Sequence, residues 1–130
     1  MEYLLDTDWA IDHLNGVQRT INGLERFLPS GVGISIVSLA EIYEGIYGSR
    51  NVPGEERAFQ RLLELLEFVE IDSEICRIFA RERRRLRSIG ALIGDFDLLI
   101  GATAIHHNLT LLTNNFRHFG RIDGLSIVPG

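Results

Sequence analysis

The chain has 130 residues, 45% of them hydrophobic and 24% charged, with a formal net charge of −5. That composition excludes a disordered tail and predicts one domain, residues 1–130, able to bury roughly two-thirds of its unfolded surface. All 13 basic side chains are Arg and none is Lys, which excludes chemistry built on a P-loop lysine or a lysine Schiff base.

The first apolar run, Tyr3–Leu5, predicts a strand, and helix-period segments follow over about 8–15 and 17–28. Val32–Val37 predicts the second strand and 38–47 the next helix. The breaker-rich stretch 48–54 reads as a loop before a helix over 55–68, where Phe59, Leu62, Leu63, Leu66 and Val69 form an apolar stripe. A weak strand at Val69–Ile71 precedes a helix over 73–89. A helix over 96–107 leads to strands at Leu109–Leu112 and Ser126–Val128. Strands alternating with helices, without hairpin dipeptides between the early strands, predict parallel βα units with helices on both faces of the sheet.

Three smaller readings come from single features. Cys76 stands alone, so no intramolecular disulfide or all-cysteine zinc site is available, and a reducing, cytoplasmic setting is expected. Its neighbours Ile75, Ile78 and Phe79 predict that it is buried. No run of ~18 apolar residues is present, and the N-terminus is acidic by its second residue, so neither a membrane span nor a signal peptide is read here.

The acidic residues converge on this sketch. Asp6 and Asp8 follow the first strand, Glu41 follows the second, Asp95 and Asp97 open the helix before the fourth, and Asn115 follows the fourth. In an open parallel sheet the carboxyl ends of the strands share one edge, where ligands bind at the switch point. Carboxylates gathered there repel one another unless protons or a cation intervene. Hard oxygen ligands without paired His or Cys suit Mg²⁺ or Mn²⁺, and such an ion activates water against a phosphate ester.

Each acid also has a structural reading. Asp8 suits an N-cap for the helix carrying Trp9, Ile11 and Leu14. Ser38-Leu39-Ala40-Glu41 has the spacing of a capping box. Asp95 suits the N-cap of a helix starting at Phe96, which leaves the metal role to Asp97. His106 and His107 read as helix C-terminal residues, and Thr113-Asn114-Asn115 as either a phosphate or metal-water contact or an ordinary turn. Six of the 13 Arg residues fall in 77–87. There Arg81, Arg84 and Arg85 are candidate contacts for an RNA backbone or a partner's acidic tail, unless the glutamates of the preceding helix simply balance the run.

The stretches Tyr3-Leu4-Leu5-Asp6-Thr7-Asp8, 35–45, 93–104 and 112–119 together resemble the PIN-domain ribonucleases, most closely the VapC-type toxins of toxin–antitoxin pairs. The resemblance covers essentially the whole chain. It implies an α/β/α sandwich with a mainly parallel sheet and a Mg²⁺-dependent endoribonuclease in which Mn²⁺ can substitute. Asp6, Glu41 and Asp97 fall on the family's metal-binding acids. Asn115 replaces a frequent fourth acid, while Asp8 offers a charge in compensation and Asp95 and Thr113 are accessory candidates. It also implies a homodimer held in a larger assembly with a small cognate antitoxin. Gly101 stands where Ala is usual, at ~1 kcal/mol of helix propensity. Two other readings stay open: a haloacid-dehalogenase-like phosphatase with Asp6 as nucleophile, weakened by the absent lysine, and a non-catalytic RNA- or partner-binding module with a decayed site.

Overall fold

The computed structural model describes residues 1–128. Five strands, β1 (Tyr3–Leu5), β2 (Val32–Ser35), β3 (Glu67–Val69), β4 (Thr110–Leu112) and β5 (Ile127–Val128), form one sheet in the order β3-β2-β1-β4-β5. Every pairing is parallel, with Leu5 opposite Ile34 on one side and Leu112 on the other. The chain leaves β1 in one direction to reach β2 and returns to its other side as β4. The switch point is therefore the crevice between β1 and β4.

Successive strand residues point to opposite faces, and the strands build two cores accordingly. Leu4 and Leu111 join Leu86, Leu98, Ile100 and Phe119 on one face. Leu5 and Leu112 join Trp9, Leu24, Ile34 and Phe59 on the other. The first core is covered by α5 (Ser73–Ser88), α6 (Asp95–His106) and the single turn α7 (Phe116–Phe119). The second is covered by α1 (Thr7–Leu14), α2 (Gln18–Phe27), α3 (Ile36–Tyr47) and α4 (Val52–Leu63). This is the expected three-layer arrangement. Leu4 is fully buried at the centre of it, so Leu4→Ala is expected to lower stability by about 2–5 kcal/mol, measured by urea unfolding.

Several boundaries differ from the sequence reading, each for a local reason. β2 stops at Ser35, whose hydroxyl accepts the Val37 N–H and starts α3 two residues early. The stretch 48–54 is not all loop: Asn51 accepts the Gly54 N–H, and α4 begins at Val52 with Pro53 in its first turn. β3 lies at Glu67–Val69, two residues before its expected place. Cys76 is exposed, not buried, because Ile75 and Leu86 set the inward face of α5 and Cys76 is rotated ~100° from Ile75. Ile89, just past the end of α5, is 62% exposed. Gly101 acquires a packing reason: a methyl there would lie 2.5 Å from Ile122 Cδ1.

Candidate active site

Helices begin almost directly at the carboxyl ends of three strands. Asp6 alone separates β1 from α1, α3 follows β2 without a gap, and three residues lead from β4 to α7. With α6, four helix starts bring polar residues to the rim above the β1–β4 crevice. Their N-terminal dipoles favour negative charge there.

Asp6 sits at the bottom, 3% exposed. Its N–H donates to the Leu112 carbonyl, which locks it to β4. Thr113 Oγ1 donates to Asp6 Oδ2 at 2.7 Å and accepts the Asn115 N–H at 3.0 Å. Asp6 Oδ1 is buried with no hydrogen-bond partner. Burial, then the neighbouring Asp8 carboxylate, push the Asp6 carboxyl up from 3.8 to about 8, while the Thr113 hydrogen bond opposes the rise.

Asp8 does not cap α1, which starts one residue earlier, at Thr7. Its Oδ2 accepts the Asn114 N–H at 3.0 Å and lies 3.4 Å from Thr113 Oγ1. Its Oδ1 is also buried and unpartnered, and burial raises its carboxyl above the ordinary range. Asp8 thus braces the turn after β4 and adds its charge to Asp6.

Glu41 does not close a capping box. Ser38 is buried within α3, and Ser35 is the cap. Glu41 Oε1 instead lies 2.8 Å from Thr7 Oγ1, which is 2.9 Å from Ser38 Oγ. A threonine hydroxyl has one proton, so Thr7 donates to the carboxylate and accepts from Ser38. Burial raises the Glu41 carboxyl, and Asp97 adds to the rise. Asp97 also pushes Asp6 upward, so its charge is felt at both acids.

Asp97 is held from the far side. Asn115 Nδ2 approaches Asp97 Oδ2 at 3.4 Å, and His118 Nδ1 lies 3.5 Å from the same oxygen and 3.3 Å from Asn115 Nδ2. Asp95 is not an N-cap: Gly94 holds that position and α6 starts at Asp95. The Asp95 side chain is paired with Arg83 at 2.8 Å, on the rim of an open cleft of about 460 Å³ that Glu41, Phe96 and Asp97 also line.

The structure therefore brings Asp6, Asp8 and Thr113 together, and Asp97 with Asn115, and commits Asp95 to an arginine. Thr7 and His118 enter the site without having been singled out, and Ser38 enters it as a partner of Thr7 instead of a cap. Their signal was positional, since each lies three residues or fewer from a candidate acid or amide. Thr7→Val is expected to lower kcat about tenfold through the freed Glu41 carboxylate, with Thr7→Ser near wild type. Steady-state cleavage and a melting curve would check it.

The arginine run splits. Arg77 pairs with Glu74, Arg83 with Asp95, and Arg85 with Glu82 and Asp123. The balancing acids are not the glutamates of α4. Arg85 also donates to the Arg121 carbonyl, and Arg121 donates to the Ala91 and Leu92 carbonyls before α6. Arg85 is thus structural, whereas Arg81 and Arg84 are exposed and make no ion pair among the described residues. His106 meets Asp72 at 3.3 Å beside the end of α6, in keeping with a structural role.

Among the described residues no three acidic, His or Cys side chains lie close enough to enclose a metal ion by themselves. The site still fits one. A buried carboxylate oxygen without a donor needs a proton or a cation, and Asp6 Oδ1 is such an atom. The charges that act on it are the Asp8 and Asp97 carboxylates, and carboxylate oxygens suit Mg²⁺, which usually keeps several waters and takes only one or two carboxylates.

Known proteins share this fold and sequence pattern. The PIN domain profile matches residues 3–125. The chain is 32% identical to Ribonuclease VapC2 of Rickettsia felis over 96% of its own length and 95% of that protein's. It is 36% identical to Ribonuclease VapC1 of Methanocaldococcus jannaschii over 92% and 79%. Its fold is similar to the crystal structure of VapBC2 from Rickettsia felis bound to a promoter DNA fragment, with a TM-score of 0.94, 30% identity and coverage of 100% and 99%. VapBC-1 from nontypeable Haemophilus influenzae matches with a TM-score of 0.89 and 29% identity over 99% and 98%. The chain belongs to the PIN-domain family, among its VapC-type ribonucleases.

Proposed function

We propose that this protein is a divalent-metal-dependent endoribonuclease, the toxin of a toxin–antitoxin pair, with Asp6, Glu41, Asp97 and Asn115 as its catalytic residues. The observation that carries the reading is the unpartnered, buried Asp6 Oδ1 at the switch point, with the Asp97 carboxylate close enough to raise both the Asp6 and the Glu41 carboxyl. PIN-family membership sets aside the phosphatase alternative. The intact set of three acids argues against a decayed site.

Asp6 and Asp97 would hold Mg²⁺, or Mn²⁺ in its place, with Glu41 reaching it directly or through water. When bound, the ion would neutralise the acids, polarise the phosphodiester and make water a better nucleophile. Glu41 orients the attacking water and takes its proton, a task suited to a carboxyl raised by burial and fixed by Thr7. Thr113 holds Asp6 in place through Oδ2, leaving Oδ1 for the ion. Asn115 keeps Asp97 turned toward the cleft at the cost of the charge a fourth acid would bring.

The relatives named as VapBC complexes support a small antitoxin partner for this chain. A cytoplasmic homodimer, one nuclease domain per chain, completes the reading, and no helix of the described residues is long and apolar enough to cross a membrane. Incubation with a pool of structured RNAs in Mg²⁺, Mn²⁺ or EDTA tests the proposal. Discrete cleavage products with either ion and none in EDTA are expected; equal cleavage in EDTA would refute the metal role.

A further inference from the structure

Two phenyl rings at the acid rim have no packing explanation. Phe96 is 54% exposed and Phe116 47% exposed. Neither belongs to a hydrophobic core, and neither stacks on another ring or on a cation among the described residues. Exposed Tyr47, by contrast, stacks on Tyr43.

Their positions are specific. Phe96 lies between Asp95 and Asp97 in the first turn of α6 and lines the open cleft with Glu41 and Asp97. Phe116 opens α7 directly after Asn115. The Asn115–Asp97 contact joins those two elements, so each side of that contact carries one ring. Both helix starts otherwise bear polar residues. An apolar ring there is useful if something planar and apolar arrives with the substrate.

We propose that Phe96 and Phe116 are base-stacking platforms that seat unpaired nucleobases flanking the scissile phosphate, making them specificity-determining residues for single-stranded RNA. This rests on the endoribonuclease reading above. Every base has a π-face, so a phenyl ring gains affinity without reading sequence. In a helix that face is covered by neighbouring bases, and only a splayed base can meet a ring. Exposed Arg81 and Arg84 on α5, the helix packed against α6, are free to meet the phosphates of the same strand.

The test uses a 12-nucleotide single-stranded RNA with 2-aminopurine placed at each position in turn, and the same strand in a duplex. Wild-type protein should quench 2-aminopurine at one or two positions of the single strand and leave the duplex unquenched. Phe96→Ala and Phe116→Ala should each raise KM about tenfold with kcat little changed and lose the quench, while Phe96→Trp keeps both. Unchanged KM and quench in both alanine variants would overturn the proposal, as would equal cleavage of duplex and single strand. Loss of antitoxin inhibition with RNA affinity intact would assign the rings to a protein partner and overturn it too. Quenching without cleavage by the wild type would overturn the endoribonuclease reading and leave the stacking proposal supported.

Discussion

Asp6→Asn is expected to cut RNA cleavage at least a hundredfold, on the order of what loss of one preorganised electrostatic element costs, and at the same time to stabilise the protein. The first effect follows from removing the carboxylate whose buried Oδ1 lacks a partner at the switch point. The second follows from linkage. The Asp6 carboxyl is pushed from 3.8 up to about 8 in the fold. Between those values the unfolded chain has released the proton while the folded chain still holds it, so stability falls as pH rises. Below about pH 4 the contribution is fully present, and above about pH 8 it is gone. Asn removes this loss, a gain on the order of a few kcal/mol at neutral pH and above. Part of the gain is offset because the new amide is itself buried without a partner. Asp97→Asn should abolish cleavage equally without comparable stabilisation, since the Asp97 side chain is already 27% exposed. Initial rates and urea unfolding at pH 5, 7 and 8.5 separate the two effects. An active Asp6→Asn protein, or one destabilised at every pH, contradicts the assignment.

Magnesium is expected to reverse that pH dependence. An ion that binds only the folded chain stabilises it by RT ln(1 + [L]/Kd), and here it must displace the proton that Asp6 retains. Binding is therefore weaker at pH 5, where the carboxyl is protonated, and stronger near pH 8. The melting temperature should rise on adding ~10 mM Mg²⁺, by several degrees at pH 8 and by little at pH 5, since ~1 kcal/mol shifts Tm by ~2–8 °C in domains of this size range. EDTA should erase the difference, and Asp6→Asn should show little of it. A melting temperature indifferent to Mg²⁺ at every pH would show that the acids do not hold the ion.

Much of this was legible before the fold was in view. β1 falls where its apolar run predicts, and strand–helix alternation suffices to place Asp6, Glu41, Asp97 and Asn115 on one edge. What escaped was local. Ser38-Leu39-Ala40-Glu41 looked like a cap because cap residues and site residues draw on the same polar set; only the Ser35 hydroxyl on Val37 decides it. Asp8 and Asp95 misled for the same reason, α1 starting two residues and α6 one residue earlier than an aspartate cap implies. Thr7 and Ser38 escaped because their role depends on a contact across 31 residues, which no local pattern encodes. Cys76 failed for a rotational reason: an apolar stretch on a helix says that one face is buried and leaves open which neighbour lies on it.

The hydrogen bond from Thr113 to Asp6 spans 107 residues. β1, which carries the first acid, pairs with β4 on one side, and the amide that turns Asp97 comes after β4. Folding of the acidic rim thus depends on contacts of high sequence separation, the slowest kind to form. During synthesis Asp6 is made 107 residues before Thr113, the residue that holds it. A nascent or truncated chain ending before Thr113 has no assembled rim and therefore no nuclease. The order of the strands makes destructive activity wait on β4 and the turn that follows it.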